Sequence, residues 1–302
     1  MDEPSKEIDY AQVGKHRVAF DTFGDPADPT LLMVMGLGAQ LIHWDPVLCN
    51  AFAERGFHVV RFDNRDIGLS THYPDNPRPR IIPIALGFKK SAPYRLSDFA
   101  ADGIGLLDHL GVERAHIVGA SLGGAIVQTM AIEHPDRVLS MTSVMGPSGA
   151  VFAELPRLRI LPTFLRRTPP GEQGAIDAIH RFNRLISSPG WPFDADRDLE
   201  RVTEAHRRAF DPKGVERQLG AMLASGSRRK ALRSVRVPTL VIHGKDDPLV
   251  PVRAGRAVAR AVPGARLEVI DGMGHDAPTG LWPHLIDLVT NHAVEASPVR
   301  NG

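Results

Sequence analysis

One cysteine, Cys49, stands among 302 residues. A lone thiol excludes an internal disulfide, and the acidic start Met1-Asp2-Glu3-Pro4-Ser5-Lys6-Glu7 lacks the apolar core of a secretory signal. The expectation is a cytoplasmic protein. Beside Leu48 and close to Phe52 in a helical pattern, Cys49 reads as a small buried hydrophobe rather than a reactive group. Long apolar runs are missing too. None approaches the ~20 residues that span a bilayer; the richest, Leu31 to Ala39, contains two glycines and is about half that length. A net charge of +1 gives no case for nucleic acid or an anionic membrane surface as partner. The 13 histidines are scattered, and no Cys/His group has metal-ligand spacing, so no metal is expected.

What is present is an alternation. Ile8–Val13 and His16–Phe23 read as an opening hairpin, and Thr30–Met35 as a strand buried on both faces. His58–Phe62, Ala115–Val118, Val138–Met145, Thr239–His243 and Arg266–Ile270 follow as strands. Helical patterns lie between them at Asp45–Arg55, Leu96–Leu110 (with Ser97 as candidate cap), Ala125–His134, Val252–Ala261 and Leu281–Val294. The proline-rich stretch Tyr73–Pro93 reads as loop. This rhythm predicts an α/β fold with a mostly parallel central sheet flanked by helices. It breaks from about Gly146 to Arg236, where only helical stretches appear. The expected division is a core of residues 1–146 and 236–302 with a helical cap at 147–235. The block 146–236 holds 17 Lys/Arg against 10 Asp/Glu. A basic cap would steer an acidic substrate, although arginine-rich exposed helices are the plainer reading.

The chain is organised around Ala115-His116-Ile117-Val118-Gly119-Ala120-Ser121-Leu122-Gly123-Gly124. A short apolar strand meets G-x-S-x-G, which opens into a helix, the context a nucleophile elbow requires. Glycines 119 and 123 suit a turn where side chains would strike the neighbouring strand and helix. The plain alternative is a strand-to-helix loop with Ser121 as N-cap.

An open parallel sheet presents reactive groups at the carboxyl ends of its strands. Three such ends carry Ser121, the pair Asp246-Asp247 and His275, in that order. A serine hydroxyl needs an adjacent base, imidazole can take and return its proton, and a carboxylate orients the imidazole. Asp247 is preferred to Asp246 as that carboxylate. His243 is expected to pack internally, and Asp271 and Asp276 to shape the loop around His275. The backbone N–H groups of Leu122 and Leu37 are the candidate oxyanion donors. A rival reading takes Gly36-x-Gly38, with Asp63 ending the next strand, as a dinucleotide fingerprint. Leu41 occupies the place of its third glycine, so no cofactor is expected.

The best-matched segments, Gly119-Ala120-Ser121-Leu122-Gly123-Gly124, Gly244-Lys245-Asp246-Asp247-Pro248 and Gly274-His275, resemble the α/β-hydrolase superfamily over nearly the whole chain. Val34-Met35-Gly36-Leu37-Gly38 and Asp63-Asn64-Arg65-Asp66-Ile67-Gly68-Leu69-Ser70 are similar to its serine esterase group that includes aclacinomycin methylesterase. Two departures stand out: Met35 where histidine is usual, and Asp66 where glycine is usual. The resemblance implies a Ser-His-Asp triad and carboxylic ester hydrolysis through an acyl-enzyme. Lactones, thioesters, carbon–carbon bonds and perhydrolysis remain open on the same triad. So does a ligand receptor of low turnover. Phe164, Phe182, Trp191, Phe193 and Phe210 are candidate apolar walls for a small-molecule substrate.

Overall fold

The structure is a computed structural model that describes residues 7–85, 91–150, 153–165 and 169–297, with the backbone alone for Ile82, Ala85, Phe164 and Leu165. Phe164 as a pocket wall therefore lies outside the described side chains.

Eight strands form one sheet: β1 (Asp9–Val13), β2 (His16–Phe23), β3 (Thr30–Val34), β4 (His58–Phe62), β5 (Ala115–Ala120), β6 (Val138–Val144), β7 (Thr239–Gly244) and β8 (Arg266–Ile270). Their order is β1-β2-β4-β3-β5-β6-β7-β8, and β2 alone runs against the rest. The chain crosses from β3 to β4 on one side and then back to β5 on the other. That reversal opens a crevice at the carboxyl ends of β3 and β5, where α/β sheets hold their ligands.

Central strands are buried along almost their whole length because both faces are covered. Alternate residues of β3 enter opposite cores, since successive strand side chains point to opposite faces. Leu32 and Val34 join one cluster, Leu31 and Met33 the other. The first core receives Phe99, Leu106 and Leu107 of α3 (Leu96–His109), Ile126 and Met130 of α4 (Leu122–Glu133) and Val258 of α9 (Arg253–Ala261). The second receives Leu48, Cys49 and Phe52 of α1 (Pro46–Ala53) with Leu285, Ile286 and Val289 of α10 (Trp282–Ala296). Cys49 is buried, and its Sγ lies 3.7 Å from the Trp44 carbonyl.

Three local expectations give way. The stretch 73–93 is not all loop, because α2 spans Ile81–Ala85 and packs against α8 (Pro212–Ser225). Helix α4 begins at Leu122 rather than Ala125, so the small residues of the elbow already lie in its first turn. Ser97 does not cap α3; the N-cap is Arg95, whose N–H is met by the Asp98 carboxylate, while the Ser97 hydroxyl donates to Glu133.

Between β6 and β7 the described residues contain no strand. They form α5 (Leu161–Leu165), α6 (Glu172–Ile186), α7 (Ala195–Arg208) and α8. The arginine excess of this segment is not simply a solvated surface. Arg197 and Arg201 meet Asp45, Arg208 meets Asp63, and Arg217 meets Asp66, and all three of these core carboxylates are buried. Much of the charge difference between the two parts is thus spent on holding them together. No helix among the described residues is long and apolar enough to cross a membrane.

Candidate functional site

Ser121 sits between β5 and α4 at φ +55°, ψ −115°, a left-handed conformation that side chains disfavour. The surrounding glycines explain how the turn closes. A Cβ at Gly119 would fall 2.2 Å from the Gly123 carbonyl oxygen, and one at Gly123 would fall 2.0 Å from that of Val34. The Ser121 N–H donates to the Val144 carbonyl (2.9 Å), which ties the turn to β6. Ser121 occupies the N-cap position of α4, yet its hydroxyl makes no capping bond. The hydroxyl is aimed elsewhere: Oγ lies 3.0 Å from Nε2 of His275.

His275 follows β8 through Gly272-Met273-Gly274. Its Nδ1 is 2.7 Å from Oδ2 of Asp247, which follows β7. The other oxygen, Oδ1, accepts the N–H groups of Leu249 and Val250, each at 2.8 Å. Asp247 is fully buried and the His275 side chain only 6% exposed. The carboxylate is therefore fixed by its own loop and offers its remaining oxygen to the ring. Three side chains on three strand ends, up to 154 residues apart in sequence, form one hydrogen-bonded line.

Neighbouring titratable groups are occupied otherwise. Asp246 accepts from Gly272 N (3.1 Å), and its side chain is 38% exposed. Asp271 pairs with Lys245 on the surface. Asp276 bonds the Ser188 hydroxyl, and burial raises its carboxyl above the usual range. His243 packs internally, as expected, donating through Nε2 to the Val250 carbonyl; burial depresses its pKa.

The turn after β3 passes directly over the serine. A Cβ at Gly36 would lie 3.2 Å from the Ser121 Cβ and 3.8 Å from Oγ. Among the described residues, no protein acceptor takes the N–H of Leu37 or of Leu122. Leu122 is the first residue of α4, where helical geometry leaves amides unpaired and the dipole favours negative charge. Asp63, the acid of the dinucleotide reading, is buried and serves the protein's own donors. It accepts from Leu41 N (2.7 Å), Leu69 N (2.9 Å) and Arg208 Nη1 (2.6 Å).

The helices between β6 and β7 reach into this site, which sequence alone did not reveal. The Ile186 carbonyl accepts the His275 N–H (2.8 Å), and Ser188 Oγ accepts that of Gly274 (2.9 Å). Gln218 of α8 accepts the N–H of Gly38 (3.0 Å). Among the aromatic candidates, Trp191 closes on Gly272 and Gly280, Phe193 packs on His180, and Phe182 is half-buried. Phe210, 51% exposed, stacks on His206. An opening of about 360 Å³, walled by Trp191, Pro192, Asp194 and residues 278–280, begins three residues beyond His275.

Residues 29–278 match the model of the alpha/beta hydrolase fold. The chain belongs to that family. It is 30% identical to rhodomycin D methylesterase DnrP of Streptomyces peucetius, over 91% of this chain and 94% of that protein. It is 28% identical to 2-hydroxymuconate semialdehyde hydrolase of Pseudomonas putida, over 78% and 83% of the two chains. The solved enol-lactonase of Burkholderia xenovorans LB400 superposes with a TM-score of 0.74 at 22% identity, over 95% of this chain and all of that one. These relatives span ester, semialdehyde and lactone hydrolases, so the family assignment leaves the bond to be cleaved to the site.

Proposed function

We propose that the chain is a serine hydrolase of carboxylic esters, with Ser121 as nucleophile, His275 as base and Asp247 as the group that orients His275. The observation that carries this reading is the Ser121–His275–Asp247 line, at 3.0 and 2.7 Å, on a strained serine whose hydroxyl has no structural use. His275 Nε2 takes the hydroxyl proton as Oγ attacks the acyl carbon. Asp247 keeps the ring in the required tautomer and stabilises the imidazolium. The N–H groups of Leu37 and Leu122 receive the oxyanion. The intermediate collapses with the proton passing from His275 to the departing alcohol. Water, activated by the same imidazole, then releases the acid.

Residues 147–235 serve in this reading as a cap that shapes the substrate space over the crevice. Similarity to a methylesterase across 94% of its length supports an ester over the alternatives. A panel of esters varied in acyl chain and alcohol, run beside a lactone and a thioester, tests it. Esters should be the preferred class, and Ser121→Ala should abolish turnover with thermal stability nearly unchanged. A fluorophosphonate should label the protein once, on the peptide containing Ser121. Near-wild-type turnover in Ser121→Ala overturns the nucleophile, and a burst with no further turnover favours a receptor.

A further inference from the structure

We propose that Gln218, supplied by helix α8, is a positioning residue for the oxyanion turn: its side-chain amide holds the peptide plane that follows Leu37. The inference rests on the oxyanion role proposed for Leu37. Gln218 is fully buried and uses both ends of its amide. Oε1 accepts the Gly38 N–H at 3.0 Å, and Nε2 donates to the Arg65 carbonyl at 2.8 Å.

The rest of the turn has other tethers, among them the Ala39 N–H, which donates to the Gly36 carbonyl (3.3 Å). Asn64 Nδ2 donates to the Met35 carbonyl (3.0 Å), and the Leu41 N–H donates to Asp63 (2.7 Å). Gln40 donates to the carbonyls of Ala205 and Ala209 at 2.7 and 2.8 Å. Among the described residues, only Gln218 bonds the plane joining Leu37 to Gly38. That plane is the one most able to turn. Gly38 sits at φ +70°, and glycine populates either sign of φ at little cost. A peptide unit moves as a rigid body, so its orientation sets ψ of Leu37, the rotation that joins it to the unit carrying the Leu37 N–H.

Val215, one turn of α8 earlier, lies against Gly38, where a Cβ would come within 3.1 Å of it. The inserted helix thus both covers the turn and sets its hydrogen bond. A donor held this way contributes to the transition state and little to the bound ester, so its loss falls on kcat rather than KM.

Gln218→Met keeps the length of the side chain and removes both hydrogen bonds. With p-nitrophenyl acetate, kcat should fall about 10- to 100-fold while KM stays within about threefold. Inhibition by phenylboronic acid, whose serine adduct is tetrahedral and anionic, should weaken by a similar factor. Gln218→Glu supplies the check should Gln218→Met fail to fold. Its buried carboxyl, when protonated, reproduces both acceptor and donor, so its kcat relative to wild type should rise as pH falls from about 8 to 6. An unchanged kcat in Gln218→Met, a lower kcat with full boronate affinity, or a flat pH ratio in Gln218→Glu overturns the proposal. Ser121→Ala, assayed in parallel, separates the two levels. Activity surviving there sinks the site reading itself, whereas its loss alongside an unaffected Gln218→Met sinks only the role of Gln218.

Discussion

Asp66 departs from the glycine of the motif that this stretch resembles and sits at φ +66°, and replacing it with glycine should destabilise this protein despite relieving the backbone. The relief is worth about 1 kcal/mol. Against it stands a carboxylate with four donors: Tyr94 Oη (2.6 Å), Tyr73 N (2.8 Å), and Arg217 Nε and Nη2 (2.9 and 2.7 Å). Arg217 is 1% exposed and Asp66 fully buried. Asp66 raises the Arg217 pKa while the pair is intact, and without it the guanidinium still keeps its charge, because arginine does not deprotonate in proteins. Asp211, at 3.0 Å, is its remaining carboxylate. Breaking a buried pair from one side costs about 3–5 kcal/mol. The net loss for Asp66→Gly is therefore about 2–4 kcal/mol. Urea unfolding followed by tryptophan fluorescence measures it: at an m-value of about 3 kcal/mol/M the midpoint should fall by roughly 1 M. Asp66→Gly/Arg217→Met removes the stranded charge and should recover most of the loss. A single variant as stable as wild type, or a double variant no better than the single, would refute the argument that this pair fastens α8 to the core.

Asp247→Asn should lower kcat by about 10³–10⁴, since an amide cannot stabilise the His275 imidazolium, while Asp246→Asn should cost less than about tenfold; steady-state kinetics on one ester decides, and the reverse order would exchange their roles. Gly123→Ala puts a Cβ 2.0 Å from the Val34 carbonyl oxygen, so soluble yield and activity should both collapse, and a folded, active variant would contradict the close approach. Burial lowers the His116 pKa to about 4. Between that value and the ordinary 6.5 the unfolded chain binds the proton and the folded one does not, so stability rises with pH through this window. Each such histidine contributes about 1.4 kcal/mol per pH unit there. Urea midpoints for His116→Gln should show a shallower acid slope than wild type, and an unchanged slope would remove His116 from the account.

The catalytic candidates were legible because each is announced by its neighbours in the chain. Ser121 lies between glycines that only a sharp strand-to-helix turn demands, Asp247 follows the buried apolar run of β7, and His275 follows the edge strand β8. In the structure the Asp247 carboxylate faces the His275 ring and that of Asp246 accepts from Gly272. Helix α2 was hidden by prolines that usually mark loops, and Ser97 resembled a cap because Arg95, the actual N-cap, offers no short oxygen-bearing side chain. Asp66 was visible only as a departure from pattern, without the reason for it.

Local pattern alone determined the alternating strands and helices and the order in which the candidate groups follow their strands, since strand and helix periodicity act over a few residues. Tertiary structure decided what the intervening helices do there. Gln218 meets Gly38 across 180 residues, and Arg217 meets Asp66 across 151. No local signal reports such pairs, because a hydrogen bond depends on where two chains converge in space, and that convergence exists only once the sheet and its covering helices have packed.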